Sequence, residues 1–197
     1  MIDAIFNFLF QFDLIIDNNF ALSLFIYFIF SILFFTFSLP GSLIIILSSS
    51  FFFGFFVGYL INIISVTLGS LLFFLFFKVI YKKYANKKLE KFSNKLNKII
   101  KKSSLEYLIL LRLIFGVPLL IQNLFLSTLE ISKKKFILSS FLGFSPYMLI
   151  FSFVGNQFSA FIDIKTFNLG DILSLEFISI FLIIIFFLLL RIFLKFK

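Results

Sequence analysis

The chain has 197 residues, 61% of them hydrophobic, 22% aromatic and 14% charged, with a mean hydropathy of +1.16 and a formal net charge of +9. Soluble domains run at about 45–50% apolar and about 25% charged residues, so a water-soluble globule and a disordered tail protein are both excluded; the composition is that of an integral membrane protein. With no His and no Cys there is no thiol nucleophile, no Ser–His dyad, no disulfide, no haem attachment and no ordinary zinc site, so the chain is expected to be no enzyme and to carry no metal or cofactor.

Residues 1–20 are interrupted by Asp3, Gln11, Asp13 and Asp17 too often for a spanning helix, and are expected to lie in the membrane interface. They carry neither a basic leader region nor a small-residue cleavage site, so they do not read as a signal peptide. Residues 21–194 are expected to form one membrane domain. Its first run, 21–39, is uncharged and meets the length of about 20 residues that a crossing needs.

Leu39-Pro40-Gly41-Ser42 then breaks the helix. The apolar stretch 39–53 is too short for a comfortable crossing and predicts a re-entrant segment; a Pro-capped start to an ordinary helix is the competing reading. Non-helical backbone at membrane depth is tolerated only where it is buried in protein or lines a wet cavity, so a re-entrant segment implies such a cavity.

Residues 55–79 predict a span. Gly54, Gly58, Asn62, Ser65 and Gly69 follow at steps of three or four and form one stripe of small and polar residues, for helix packing or for facing a polar interior, with Asn62 the member expected to reach a cavity. Ten lysines lie within 78–102, and Ala85, Leu89, Phe92, Leu96 and Ile99 recur between them at helical spacing. This predicts a basic amphipathic helix on the cytoplasmic membrane surface, beside anionic lipid, whose main role is expected to be that of a solvated topological anchor.

The run 105–129 contains Glu106, Arg112, Gly116, Pro118, Gln122 and Asn123. Its length allows a span, but Lys98, Lys101 and Lys102 precede it and Lys133, Lys134 and Lys135 follow it. A crossing would put one cluster outside, against the positive-inside rule, so a second re-entrant hairpin turning near Gly116–Asn123 is expected. Spans at 136–158, carrying Gly143 and Pro146, and at 175–190, closing on Arg191, Lys195 and Lys197, complete the chain. The expected fold is all-α: a polytopic membrane protein of four transmembrane helices and two opposed re-entrant hairpins, with both termini cytoplasmic. Opposed broken segments are the mark of inverted-repeat transport folds.

A charge inside an apolar segment costs about 2.5–3.5 kcal/mol on insertion scales and faces a partner or a wet cavity. Arg112 is that charge, and the planar guanidinium fork suits a phosphate or carboxylate; snorkelling towards headgroups is the competing role. Glu106 is a candidate counter-ion or a plain interfacial carboxylate. Gln122 and Asn123 need partners in lipid, which backbone freed around Gly116 and Pro118 or a lipid headgroup would supply. Pro40, Gly41 and Ser42 offer exposed amides beside a hydroxyl, an anion-binding combination.

Leu39-Pro40-Gly41-Ser42, Phe53-Gly54, Gly58 and Gly69-Ser70, then Arg112-Leu113-Ile114-Phe115-Gly116-Val117-Pro118, Gln122-Asn123, Lys135-Phe136 and Gly143-Phe144-Ser145-Pro146-Tyr147 resemble, in order and spacing, the DedA/VTT superfamily, also called SNARE-associated Golgi proteins. The resemblance covers residues 36–158. Phe115 stands where the family often has a proline, and the acid that the bacterial DedA branch carries near its proline-glycine motif is absent, which sets the chain nearer the VTT branch. The resemblance implies paired re-entrant hairpins and movement of phospholipids or polyprenyl phosphates between leaflets. On that basis Arg112, Gln122, Asn123, Ser42 and Glu106 are the candidate substrate-binding residues, and Pro40, Gly41, Gly116 and Pro118 the helix breaks. The leading expectation is a lipid transporter or scramblase in a bacterial inner membrane whose partners are anionic lipids and not nucleic acid, with a homo-oligomer left open. The alternative is a non-transporting membrane scaffold that recruits partners through its basic loop.

Overall fold

The computed structural model describes residues 16, 18–84, 105–114 and 116–163. The expected interfacial segment 1–20, most of the basic helix 78–102 and the expected span 175–190 fall wholly or largely outside them. Among the described residues the fold is all-helical: α1 (Phe20–Thr36), α2 (Ser42–Phe53), α3 (Phe55–Tyr84), α4 (Leu105–Leu113), α5 (Leu119–Ser127) and α6 (Lys133–Asp163).

In a hydrocarbon solvent a helix satisfies every backbone group within its own segment, which an open strand cannot do. Local chemistry decides where each helix stops. Between α1 and α2 the chain turns through Ser38 at φ +49° and Gly41 at φ +90°. Gly54, at φ 77° and ψ 167°, separates α2 from α3 in a backbone region open essentially to glycine alone. Gly116, at φ +86°, and Pro118, which caps α5 at φ −53°, part α4 from α5.

Among the described residues, two stretches are long and apolar enough to cross a bilayer, Phe55–Ile80 in α3 and Lys133–Phe158 in α6. The 17 residues of α1 reach about 26 Å at 1.5 Å per residue, just short of the hydrocarbon thickness of about 30 Å. The 12 residues of α2 reach only about 18 Å, and the nine each of α4 and α5 about 14 Å.

The two long helices pack against each other and carry the rest. α1 lies on α3, α2 is held by both α3 and α6, α4 lies on α6 and α5 on α3. Glycine sets the four closest approaches. A β-carbon on Gly58 would run into the Ser50 backbone of α2, and one on Gly69 would sit 2.7 Å from Phe35 Cβ of α1; one on Gly155 would meet the Leu47 backbone of α2, and one on Gly143 the Arg112 stem of α4. The stripe along α3 therefore divides between two neighbours, Gly58 facing α2 and Gly69 facing α1.

The distribution of polarity is that of a protein in lipid. Ser49, Ser50, Asn62, Ser65, Arg112, Asn123 and Ser152 are all fully buried, whereas Phe25, Phe56, Phe76 and Val79 are more than 60% exposed. Helix association in a bilayer gains nothing from hiding apolar side chains and relies on close packing and interhelical hydrogen bonds. Asn62 illustrates it: its Nδ2 donates to the Ile46 carbonyl of α2 at 3.0 Å and to Ser152 Oγ of α6 at 2.9 Å. The side chain expected to reach a cavity instead ties three helices together.

Candidate functional site

Two of the breaks, the one before α2 and the one between α4 and α5, meet at one cavity. About 260 Å³ in volume, it is bounded on one side by Ser42 and Leu43, where α2 begins, and on the other by Ile114, Gly116, Val117 and Pro118, where α4 gives way to α5. Gln122 of α5 and Tyr147 of α6 complete its polar lining, with Ile46, Leu119 and Phe151 apolar between them. Among the described residues, no charged side chain lines it.

Both helices that begin here do so without a side-chain cap, Gly41 preceding α2 and Pro118 preceding α5. The first amides of a helix have no partner within it, and the aligned peptide dipoles put partial positive charge at that end. Gln122 braces the break: its Nε2 donates to the Val117 carbonyl at 3.1 Å, with the Ile114 carbonyl at 3.5 Å, so freed backbone serves as the partner of this amide. Its Oε1 is buried without a partner. Tyr147 packs edge-on against Phe144 and Phe151.

Behind this cavity, and not among its lining residues, is Arg112. It lies in the last turn of α4, the helix end that favours a cation, and is 0% exposed. Its Nη1 donates to Asn123 Oδ1 at 2.8 Å, and Asn123 Nδ2 donates in turn to Ser38 Oγ at 3.1 Å. Ser38 donates onward to the Phe35 carbonyl at 3.3 Å. The guanidinium carbon lies 4.6 Å from the Phe144 ring centre and 5.0 Å from that of Phe136, the cation–π contact that partly replaces lost hydration. Nε and Nη2 remain without partners, and the Phe144 ring that the guanidinium covers is also the one packed against Tyr147.

The residues singled out in the sequence thus fall into separate groups. Ser42, Gly116, Pro118 and Gln122 share the cavity; Arg112 and Asn123 form the buried pair behind it, with Gly143 against the Arg112 stem. Pro40 and Gly41 are exposed at the turn before α2. Glu106 occupies the first turn of α4, at the end opposite Arg112. Pro146 lies inside α6 between Tyr147 and Ser145, whose hydroxyl pairs with that of Tyr59 at 2.6 Å. Gly54, Gly58, Asn62 and Gly69 are on α3 or its start, away from the cavity lining.

Sequence reasoning did not single out Ser38 or Tyr147. Nothing local marks Ser38, whose partner is 85 residues away. Tyr147 had a signal: Gly143, Tyr147 and Phe151 are spaced by four and share a face of α6. Among the described residues, no three of His, Cys, Asp and Glu come together as metal ligands.

A family model described as the VTT domain matches residues 39–157, more than half of the chain. Among curated proteins and solved structures nothing matches.

Proposed function

The chain belongs to the VTT-domain family, that of the DedA and SNARE-associated Golgi proteins, and from that premise we propose that this membrane protein moves lipids, phospholipids or polyprenyl phosphates, between the leaflets of its bilayer. The observation that supports this most is the single cavity shared by the two helix breaks. A lipid crossing a bilayer needs a polar path for its headgroup only, since its tails stay in hydrocarbon. A cavity of about 260 Å³ flanked by helices of about 18 Å and about 14 Å, each about half a bilayer long, is that kind of path. On this reading α2 and the α4–α5 pair are half-crossings that enter from opposite faces.

The chemistry of the lining fits an anionic headgroup. Uncapped helix starts, a tyrosine, a serine and an amide offer hydrogen bonds, and no carboxylate among the described residues lines the cavity. The partners are membrane lipids and not nucleic acid, there is no catalytic step, and self-association is open. The positive-inside rule puts the basic groups at 78–102 and Lys133–Lys135 on the cytoplasmic side of a bacterial inner membrane, with both termini there as well.

Purified protein in vesicles carrying a fluorescent phospholipid tests the proposal. Transbilayer movement above that of empty vesicles is expected, and a rate equal to theirs rejects it. The scaffold reading draws on the ten lysines of residues 78–102; under it, lysine-to-glutamine changes in that segment abolish function while vesicles show no lipid movement.

A further inference from the structure

Arg112 is the residue that sequence reasoning would place on the ligand, yet it is 0% exposed and absent from the cavity wall. Its one hydrogen bond starts a chain, Arg112 to Asn123 to Ser38, and that chain does something specific. Ser38 belongs to the turn four residues before α2 begins, and Asn123 to α5 beside Gln122. The chain therefore ties the segment that aims the start of α2 to the helix that forms the opposite wall. A buried guanidinium bonded to an amide holds more firmly than a neutral pair, since hydrogen bonds to charged groups are worth about twice as much. A side chain at 143 would push the Arg112 stem out of position, and Gly143 has none.

We infer that Arg112 is a positioning residue: through Asn123 and Ser38 it holds the starts of α2 and α5 across one cavity, in which Ser42, Gln122 and Tyr147 are the side chains that meet the ligand. This inference rests on the lipid-transport reading for the identity of the ligand, an oxyanion-bearing headgroup, but not for the geometry. Three features give the ligand its chemistry. Both helix starts lack side-chain caps. The guanidinium behind the wall keeps two donors, Nε and Nη2, unfilled in a fully buried position, with an amide and two rings as its partners among the described residues. Tyr147, on the cavity wall and joined to that charge through the Phe144 ring, has ring contacts with Phe144 and Phe151 and, among the described residues, no hydrogen-bond partner for its hydroxyl. Tyr147 is thus the donor that determines headgroup preference.

The chain contains no cysteine, so single-cysteine variants need no prior engineering. Ser42→Cys and Gln122→Cys are expected to react with a small polar thiol reagent and to be protected in vesicles containing phosphatidylglycerol relative to vesicles of phosphatidylcholine alone. Adding Arg112→Gln, or Asn123→Ala or Ser38→Ala where that variant does not fold, is expected to change the labelling rate of Ser42→Cys about tenfold with no anionic lipid present, the scale of one lost hydrogen bond to a charged group. An unchanged rate without anionic lipid, with only the protection lost, makes Arg112 a ligand contact and overturns the inference. Labelling that phosphatidylglycerol does not slow at either cysteine also overturns it.

In the transport assay, Tyr147→Phe is expected to alter the ratio of phosphatidylglycerol to phosphatidylcholine movement, whereas Asn123→Ala lowers both rates and leaves the ratio alone. The reverse pattern overturns the assignment of Tyr147. If the unsubstituted protein moves no lipid in either vesicle, the transport reading fails, and the labelling rates still decide the role of Arg112.

Discussion

Gly143 and Arg112 meet across the α4–α6 interface so closely that a β-carbon on Gly143 would overlap the Arg112 Cβ, with the Ile109 carbonyl 3.0 Å away on the same side. The absent side chain is what lets the guanidinium lie against α6, over the Phe144 and Phe136 rings. A long polar side chain is accommodated at zero exposure because a glycine faces its stem.

Gly143→Ala is accordingly expected to destabilise the protein by about 1–3 kcal/mol, the usual cost of overpacking. It also lengthens the Arg112–Asn123 bond, because the stem must shift. Denaturant titration in micelles measures the first. A variant as stable as the parent would show that α4 is not held against α6 as described.

Gly58→Ala carries a similar cost of about 1–3 kcal/mol, with a distinguishing feature. The added carbon would meet the Ser50 backbone as well as its hydroxyl, so trimming the side chain with Ser50→Ala does not restore stability. Rescue by the double substitution would contradict the close approach of α2 and α3.

At Gly41 the same change acts for another reason. Nothing lies within 4 Å of a β-carbon there, but φ is +90°, and a left-handed residue with a side chain costs about 1–2 kcal/mol. Asparagine visits that region more readily than alanine, so the expected order of stability is glycine, then Gly41→Asn, then Gly41→Ala. Equal values for both variants would place the constraint elsewhere.

Asn62→Ala removes donors to the Ile46 carbonyl and to Ser152 Oγ at full burial. A loss of about 1–3 kcal/mol is expected, reduced when Ser152→Ala is combined with it, because one orphaned group is then removed. Strict additivity in a double-mutant cycle would show that the two side chains do not interact.

Topology is measured with the same cysteine-free background. Lys98→Cys and Lys134→Cys are expected to resist a membrane-impermeant thiol reagent in intact cells and to react once the cells are permeabilised. Reaction at one site alone in intact cells would make 105–129 a crossing segment.

Membrane residence, the long helices α3 and α6, and the positions of the breaks are legible in the sequence, because each depends on local quantities. Hydropathy summed over a window decides burial in lipid, while the fixed φ of Pro40 and Pro118 and the positive φ open to Gly41, Gly54 and Gly116 act where those residues stand. The motif order around Arg112 and Gly143 also carries the family. The use of Arg112 is not legible in this way. Its partner Asn123 is 11 residues away across a break, and Asn123 reaches Ser38 over 85 residues; both depend on how α1, α4, α5 and α6 pack. An arginine in an apolar run announces only that its charge needs company. Which company it keeps, and that the cavity wall falls between it and any ligand, is decided by glycine-width contacts between helices distant in sequence, where fractions of an ångström select one set of partners.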